Sequence, residues 1–347
     1  MSEPKKPSGL SYKDSGVDID AQDEGLRRIK AALQATRTKG VLADLGAFGG
    51  MFAPDLAGLA EPVLVASCDG VGTKLKVAFM AGVHHTVGRD LVNHCVNDIL
   101  VQGAIPLFFL DYLATGRLKP EVMEAVVSGV ARGCKENGCA LLGGETAEMP
   151  GFYAEGEYDV AGFIVGMVDK SKAITGKAIE QGDLLIGLPS AGLHTNGYSL
   201  ARAIVFDRAG KQPGDRIDGL TGTIAEVLLA EHRSYLPALR GVLGLVRGFA
   251  HITGGGLTDN LPRILPEGTA ARIERGSWPA LPVFEVLQRL GGVADDEMLR
   301  TFNMGIGMVC VVAPGSAEAF ERHLDGLGEA HHRIGRIVPG DGRVVYA

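Results

Sequence analysis

The sequence lacks the features of a disulfide framework, a zinc site or a membrane anchor. Its 347 residues include five cysteines, an odd number, and no two of them form a CxxC pair. The most apolar segment, "AIPLFFLDYLA", is too short to span a bilayer and contains Asp111. The first residues, "MSEPKKPSGL", carry no apolar run of the kind that marks a signal peptide. We therefore expect free, mostly buried cysteines, no membrane partner and a cytoplasmic location.

Basic tracts are also missing. The chain has 34 Lys and Arg against 41 Asp and Glu, a formal net charge of −7, and no basic run is interleaved with aromatic residues. A mildly acidic chain is a poor candidate for nonspecific nucleic-acid binding, so we expect no nucleic-acid partner. Hydrophobic residues make up 46% of the chain and charged residues 22%, which is enough for a normal core.

Glycine, in contrast, is abundant, with 50 residues. The glycines follow no Gly-x-y period, so they indicate turns and close backbone approaches. Strand and helix patterns alternate through both halves, and the chain turns polar near residues 170–182. We predict an α/β (α+β) fold of two mixed α/β domains, residues 1–170 and 171–347, with residues 1–18 as a mobile arm.

The stretch "PVLVASCDGVGTK" places an acid at the end of a buried strand. Asp69 is followed by a glycine-rich turn that closes with Thr73 and Lys74. The spacing fits neither a Walker A loop nor GxGxxG. A strand-end acid, two glycines and a lysine still suit a magnesium-phosphate cradle, because Mg²⁺ prefers carboxylate and phosphate oxygens. A solvated turn with a surface lysine is an equally good interpretation of this segment alone.

The helix pattern "RDLVNHCVNDILVQ" carries unusual polar residues. Asp90, His94 and Asp98 recur at i, i+4 and i+8 on one face, with Asn93 and Asn97 beside them. An exposed face would more often carry Lys, Glu and Arg, which are better helix formers. The pattern therefore favours a site, with Asp98 as a second metal carboxylate.

Two more acids stand in "LLGGETAEMPGFY", after a glycine pair at the predicted end of a short strand. Glu145 could complete a trio of carboxylates with Asp69 and Asp98, which suits a polyphosphate bound through magnesium. For Glu148 we favour a first-turn helix acid that faces the helix dipole.

The second half offers two loops that suit an anion. "SAGLHTNGYSLAR" contains His194 and Asn196, and "HITGGGLTDNLPRIL" begins with His251 and three consecutive glycines. A glycine-rich loop that leads into a helix presents free N–H groups to a phosphate. Either histidine titrates near neutral pH and could transfer a proton. A tight turn is the alternative for the glycines, but their entropic cost favours a ligand-related role.

Seven segments together resemble the phosphoribosylformylglycinamidine cyclo-ligase family, also called aminoimidazole ribonucleotide synthetase. The segments occur in order along nearly the whole chain: "SYKDSGVDIDA", "CDGVGTKLK", "DLVNHCVNDILVQGAIPLFFLDYLATG", "GGETAEMPGFY", "GLHTNGYSL", "HITGGGLTDNLPRILP" and "RTFNMGIGM". No single motif carries the resemblance, but seven in register are highly specific.

The resemblance implies an enzyme of purine biosynthesis, with ATP and Mg²⁺ as cofactors. The reaction would convert formylglycinamidine ribonucleotide and ATP into aminoimidazole ribonucleotide, ADP and phosphate, through an imidoyl phosphate. The resemblance also implies a homodimer whose N-terminal domains pair their sheets into a barrel, with ATP near that interface.

Site residues follow from the resemblance by motif. Magnesium–ATP would be held by Asp69, Gly70, Gly72, Thr73, Lys74, Asp98 and Glu145. Of these, Asp69, Asp98 and Glu145 would be the metal ligands. Catalysis would involve Lys13, folded over the phosphates, and His251 in proton transfer. The ribose phosphate of the substrate, or the transferred phosphate, would contact His194, Asn196, Gly254, Gly255 and Gly256.

Departures from the family pattern are small: Ser15 and Gln22 replace an expected Ala and Gly, and Ala47 lies in a loop that more usually reads Gly-Gly-Phe-Gly. Two alternatives remain. One is another ATP-using relative of the same fold, such as thiamine-monophosphate kinase, which would lack "GETAEMPGFY". The other is a nucleotide-binding subunit without turnover, which could lose one of the carboxylates freely.

Overall fold

The structure is a computed structural model that describes residues 9–42 and 49–347. Residues 1–8 of the predicted arm and Ala47 lie outside this part of the chain. The strands are β1 Pro62–Gly70, β2 Ile105–Thr115, β3 Ala140–Glu148, β4 Tyr158–Asp169, β5 Leu184–Pro189, β6 Val246–His251, β7 Thr269–Ile273, β8 Ile306–Val312, β9 His332–Pro339 and β10 Val344–Tyr346.

The helices are α1 Ile19–Gln34, α2 Lys74–Ala81, α3 His85–Leu100, α4 Pro120–Asn137, α5 Tyr198–Arg202, α6 Ile224–Leu228, α7 Leu236–Leu239, α8 Gly256–Asn260, α9 Pro282–Gly291, α10 Asp295–Thr301 and α11 Pro314–Gly326. Helix α4 begins at Pro120 and is followed by Gly138 at φ 70°, a left-handed cap. Helix α1 begins at Ile19, because the Asp18 side chain caps it by accepting the Ala21 N–H.

The first half of the chain builds a four-stranded sheet in the order β1-β4-β2-β3. Strand β4 runs antiparallel to both β1 and β2, and β3 pairs in parallel with β2 at one edge. Helices α3 and α4 pack on one face, and α1 packs against α4. The result is a mixed α/β layer with Asp69 near the end of one edge strand.

The second half builds a six-stranded sheet in the order β10-β7-β9-β5-β8-β6. Strand β8 is buried along its length, since it lies between β5 and β6 and has helices beside it. A 3₁₀ turn, Lys170–Lys172, lies between the two sheets. The prediction of two mixed α/β domains is confirmed at this level, and a division near residue 171 stays a prediction.

The glycine-rich stretch after Leu141 is not a turn. It continues β3 to Glu148, because an edge strand that pairs on one side tolerates Gly143 and Gly144. No helix follows Glu148 in this described segment, so the interpretation of Glu148 as a first-turn helix acid is wrong. Its carboxylate instead accepts the backbone N–H groups of Asp18 and Leu118, at 2.6 and 2.7 Å.

Among the residues that the structure describes, no helix covers the other face of the first sheet. Apolar side chains point from it toward solvent: the exposed fraction is 65% for Leu64 on β1 and 42% for Phe163 on β4. The described chain by itself forms an open sheet and not a closed barrel. An open apolar sheet face of this kind is typical of an interaction surface.

All five cysteines are free, as predicted. Four of them are buried, but Cys68 on β1 is exposed because it lies on the uncovered face of the sheet. Within residues 9–42 and 49–347, no helix is both long and apolar enough to cross a membrane.

Candidate active site

Four sequence-predicted segments converge where the two halves of the molecule meet. The turn after β1 reaches the second half through Thr73, whose hydroxyl lies 3.1 Å from that of Ser199 on α5. Helix α3 reaches it through His94, whose Nδ1 lies 2.7 Å from the Thr195 hydroxyl. The end of β6 joins them through His251. The cleft between the halves is therefore the candidate site.

Two carboxylates share one imidazole in this cleft. His94 Nε2 lies 2.7 Å from an oxygen of Asp69 and 3.6 Å from an oxygen of Asp98. The helical spacing of four residues puts His94 and Asp98 on the same face of α3, beside the end of β1. The side chains of Asp69 and Asp98 are 44% and 26% exposed, so both still reach solvent.

The carboxylates are held in their ionised forms. Burial acts to raise the pKa of Asp69, but the hydrogen bond and charge of His94 outweigh it and lower that pKa. Burial likewise opposes ionisation of Asp98, yet its hydrogen bond to His251 leaves its pKa below the usual value. Burial disfavours the His94 imidazolium, but the Asp69 hydrogen bond and the two carboxylate charges raise its pKa. The group is thus an anionic patch with one cationic partner.

A chain of buried side chains continues from Asp98 into the second half. His251 Nδ1 lies 2.8 Å from Asp98, and its Nε2 lies 3.2 Å from Nε2 of His232. His232 Nδ1 lies 3.3 Å from the Thr195 hydroxyl, which returns to His94. Burial lowers the pKa of His251, and of His232 still more strongly, so these two rings favour the neutral form.

Both ring nitrogens of His251 are therefore occupied inside the protein, and its side chain is only 3% exposed. Its Nδ1 faces Asp98, which fixes the orientation of that carboxylate. In this geometry neither ring nitrogen of His251 is open for the predicted proton transfer to or from a substrate. The arrangement supports a role for His251 in positioning Asp98.

Lys74 does not face the cleft. Its ammonium is completely buried, 2.7 Å from an Asp90 oxygen and 2.8 Å from the carbonyl oxygen of Ala230. The other Asp90 oxygen accepts the backbone N–H of His232 at 2.6 Å. The interpretation of Lys74 as a phosphate ligand is therefore not supported, because its ammonium is buried in this ion pair and in the contact with Ala230 of the second half and does not reach the cleft.

Glu145 lies apart from the other two carboxylates. It is on β3, and the strand order places β4 and β2 between β3 and β1. Three strand spacings correspond to about 14 Å between the backbones of Asp69 and Glu145. Its exposed carboxylate instead lines a cavity formed with α1 and α4. One chain therefore does not bring the predicted trio together.

Lys13 also lies outside the histidine cleft. Residues 11–16 form a turn, and the Lys13 ammonium pairs with Asp18 at 2.6 Å. It lines a second cavity with Arg117, Glu148 and Tyr153, near the ends of β2 and β3. Its exposed side chain leaves it free to change partner, and its predicted role over the phosphates stays a prediction.

The two second-half loops do meet each other. A Cβ atom on Gly254 would lie 3.2 Å from the Asn196 side-chain oxygen, and Gly254 is exposed. Gly255 has φ 96°, and a methyl group on Gly256 would collide with the carbonyl oxygens of Leu299 and Phe302. Backbone geometry thus explains two of the three glycines, and the exposed Gly254 beside Asn196 is the part open to a ligand.

His194 is buried rather than open to a ligand. Its φ of 60° is uncommon for a residue with a side chain, and its Nε2 accepts the Ala191 N–H at 3.0 Å. Its ring stacks on His232 with 4.0 Å between centroids. The structure supports a role in shaping the loop rather than direct contact with substrate.

Sequence reasoning missed His232, the residue that links the histidines to the two asparagines of α3. Asn97 Nδ2 lies 3.2 Å from His232 Nε2, and Asn93 donates to the His232 carbonyl at 2.7 Å. The stretch "AEHRSYLP" around it has no motif and no helical period. The only indication of this contact in the sequence came from its partner residues, the unusual asparagines of α3.

The donor set fits a magnesium ion. Asp69 and Asp98 offer ionised, solvent-reachable carboxylate oxygens, the hard ligands that Mg²⁺ prefers. His94, Asp98 and His251 also have ligand atoms within 4.8 Å of one another. Those two imidazoles already bond to the carboxylates, which makes a purely oxygen-ligated ion the better match.

Two protein-family models match this chain. "AIR synthase related protein, N-terminal domain" covers residues 55–168, and the corresponding C-terminal domain covers residues 180–347. The fold and cleft thus belong to a two-domain protein of the AIR-synthase-related class.

Phosphoribosylformylglycinamidine cyclo-ligase of Alkaliphilus metalliredigens is 50% identical over 338 residues, 97% of each chain. That of Sorangium cellulosum is 53% identical over 333 residues, 95% of each chain. The chain belongs to the phosphoribosylformylglycinamidine cyclo-ligase family, which confirms the resemblance.

Solved structures show the same fold at lower identity. Thiamine-monophosphate kinase from Stenotrophomonas maltophilia has a TM-score of 0.67 and 19% identity, covering 93% of this chain and 95% of its own. Hydrogenase maturation protein HypE, solved in complex with ATP, has a TM-score of 0.63 and 19% identity, covering 92% and 90%. At this identity the likeness supports the two-domain α/β fold alone.

Proposed function

We propose that this chain cyclises formylglycinamidine ribonucleotide to 5-aminoimidazole ribonucleotide in purine biosynthesis, with ATP converted to ADP and phosphate. The observation that carries the proposal is the pair of ionised, solvent-reachable carboxylates, Asp69 and Asp98, held by His94 in a chain of this family. A nucleotide-binding subunit without turnover would have no need for two carboxylates fixed so closely.

The chemistry requires activation of a poor leaving group. The formamide oxygen of the substrate attacks the γ-phosphorus of ATP, the bond to the β-phosphate oxygen breaks, and an imidoyl phosphate forms. A substrate nitrogen then attacks the formyl carbon, loses a proton, and the carbon–oxygen bond breaks to release phosphate. Magnesium, when bound, would neutralise phosphate charge and align the γ-phosphoryl group.

The residues of this chain would position that reaction. Asp69 and Asp98 would hold the metal, while His251 and Ser67 fix Asp98 through bonds of 2.8 and 3.1 Å. The turn at Gly70 and Gly72 lets the backbone approach the phosphates, with the exposed Thr73 hydroxyl beside it. Asn196 and Gly254 would meet the anionic substrate from the second half.

The experiment compares substrates for ADP release with magnesium–ATP. Formylglycinamidine ribonucleotide is expected to stimulate ADP release, with one aminoimidazole ribonucleotide formed per ADP. Thiamine monophosphate is expected to give none. ADP release with thiamine monophosphate alone would overturn the proposal in favour of the kinase, and tight ATP binding without ADP release would favour a regulatory subunit.

We also propose that two copies pair through the open face of the first sheet and close a barrel. Leu64 and Phe163 are exposed on that face, where Leu110 and Tyr112 are also partly exposed. Covering this apolar surface stabilises an association by the hydrophobic effect. A second copy is also the only source of a Glu145 carboxylate for a site whose own Glu145 lies three strands away.

Mixed dimers test this arrangement. Asp69→Asn and Glu145→Gln chains are each expected to lose activity. Their mixture is expected to regain about a quarter of wild-type activity, since half the dimers are mixed and each of these keeps one intact shared site. The measurement is ADP release after the two chains are unfolded together and refolded.

The matched control mixes Asp69→Asn with Asp98→Asn. Both changes affect residues that one chain brings together, so this mixture should stay inactive. Equal recovery in both mixtures, or none in the first, would contradict a site shared between copies.

A further inference from the structure

His232 has no role in the reaction described above, yet it lies among the side chains that hold the two metal carboxylates. It belongs to the second half of the chain and is completely buried. Its backbone N–H donates to Asp90 at 2.6 Å, and its carbonyl oxygen accepts from Asn93 at 2.7 Å. Both partners are on α3 of the first half, so the backbone of His232 is fixed to the helix that carries Asp98.

The residues after His232 are bound to the same helix layer. Asn97 of α3 donates to the carbonyl oxygen of the next residue at 2.8 Å. The hydroxyl of Ser234 donates to the side-chain oxygen of Asn137 on α4 at 2.5 Å. None of these bonds involves the imidazole ring of His232. A change of that ring alone therefore leaves the attachment of this segment to the first half in place.

One nitrogen of the His232 ring supports Asp98. Because a carboxylate only accepts hydrogen bonds, His251 donates to Asp98 from Nδ1, at 2.8 Å. The Nε2 of a neutral His251 ring is then an acceptor, and His232 Nε2, 3.2 Å away, supplies the donor. The amide nitrogen of Asn97 is equally close to His232 Nε2, but it donates to a backbone carbonyl at 2.8 Å. His232 thus orients the ring that orients Asp98.

The other nitrogen of the ring leads to Asp69 through two side chains. His232 Nδ1 lies 3.3 Å from the Thr195 hydroxyl, and that hydroxyl lies 2.7 Å from His94 Nδ1. His94 Nε2 contacts Asp69 at 2.7 Å. The contact at His232 is long for a hydroxyl, and the path has one more side chain than the path to Asp98. The ring therefore acts more directly on Asp98 than on Asp69.

We propose that His232 is a positioning residue for the metal site and acts on Asp98 through His251. This inference rests on the proposed function, in which Asp98 holds the metal of the nucleotide. His232 contacts neither carboxylate with its ring. Its backbone is fixed to the first half and its ring contacts His251 of the second half, so it ties the contact between the halves to the geometry of a metal ligand.

A purely structural role is the alternative, since the His232 ring also stacks on His194 with 4.0 Å between centroids. Two amide replacements separate the explanations. Glutamine places its amide near the position of a histidine Nε2, and asparagine places its amide near that of Nδ1. His232→Gln therefore keeps a donor for His251, whereas His232→Asn keeps only the contact with Thr195. Both variants lose the stacked ring.

The test measures Mn²⁺ binding, as a probe of the magnesium site, by electron paramagnetic resonance in the presence of a non-hydrolysable ATP analogue. We expect His232→Asn to raise the Kd for Mn²⁺ roughly 10-fold, the scale of losing an outer-shell partner of a metal ligand. His232→Gln should keep a Kd close to that of the wild type. The urea-unfolding midpoints of the two variants should fall together, because both lose the same ring.

The matched control is Ser234→Ala, which removes the hydrogen bond to Asn137 in the same segment without changing a histidine. Its Kd for Mn²⁺ should equal that of the wild type. If His232→Asn does not fold, His232→Phe takes its place, since phenylalanine keeps an aromatic ring against His194 but has no donor for His251.

Equal Kd values in the wild type and the His232→Asn or His232→Phe variant would overturn the inference. An equal rise of the Kd in His232→Gln and His232→Asn would also overturn it, because the bond to His251 would then be irrelevant. Normal Mn²⁺ binding by the wild type without substrate-dependent ADP release would instead count against the proposed function.

Discussion

Replacing Asp98 by asparagine is expected to lower kcat roughly 100-fold or more, the scale of losing a preorganised electrostatic contact in an active site. Several side chains of the cleft converge on Asp98, which accepts hydrogen bonds from His251 and Ser67 and lies beside His94. Asparagine keeps the shape and one acceptor oxygen but removes the negative charge that a magnesium ion needs. ADP release at saturating ATP and substrate measures the effect.

The matched control is Asp325→Asn on α11, an exposed acid away from the cleft. It should leave kcat unchanged. The Asp98→Asn chain should also require more Mg²⁺ for half-maximal activity, which a purely structural defect would not cause. Activity of Asp98→Asn close to that of the Asp325→Asn control would contradict the assignment of the metal site.

Lys74→Met is expected to lower the free energy of unfolding by about 3–5 kcal/mol, because it leaves the Asp90 carboxylate buried without its partner. Both side chains are completely buried in the wild type. The loss should appear in urea unfolding as a lower midpoint. The ion pair contacts the segment around Ala230 in the second half, so the two halves should loosen together.

Two further variants test whether the loss of stability comes from the buried ion pair. Lys76, two residues further along α2, forms a partly exposed ion pair with Glu157. The Lys76→Met variant removes this pair and should cost less than about 1 kcal/mol. The double variant Lys74→Met/Asp90→Leu removes both buried charges and should recover much of the lost stability. Equal losses in the Lys74 and Lys76 variants would show that the buried pair has no special role.

The sequence predicted the site best where one secondary structure element carries it. The spacing of Asp90, His94 and Asp98 fixes a common face of α3, since the helical period depends on local geometry alone. The strand-end position of Asp69 followed equally from a short apolar run and a glycine turn. These two elements are neighbours in the fold, so their acids meet.

The order of the strands in the sheet limited what the sequence could predict about the other site residues. The sequence groups Glu145 with Asp69 and Asp98 as metal ligands. In the sheet, however, β4 and β2 lie between β1 and β3, so that β1 and β3 are at opposite edges. Local patterns do not encode that order. The sequence predicts Lys74 as a phosphate ligand or a surface lysine and does not reveal its burial, because the groups that bury it, Asp90 and Ala230, come from another helix and from the other half of the chain.

His232 illustrates the same limit. It lies between α6 and α7, where the chain has no regular period, and its role depends on contacts with Asn97, Thr195 and His251. Only the folded structure brings those four side chains together. The asparagines of α3 showed that polar partners were needed, but not which residues would supply them.

The most direct test of the account follows the formyl oxygen of the substrate. Formylglycinamidine ribonucleotide labelled with ¹⁸O at that position should transfer its label to inorganic phosphate, one labelled phosphate for each aminoimidazole ribonucleotide formed. Mass spectrometry of the phosphate measures the transfer. Label released into water instead, with unlabelled phosphate, would contradict ATP-dependent activation of the formyl oxygen and with it the proposed function.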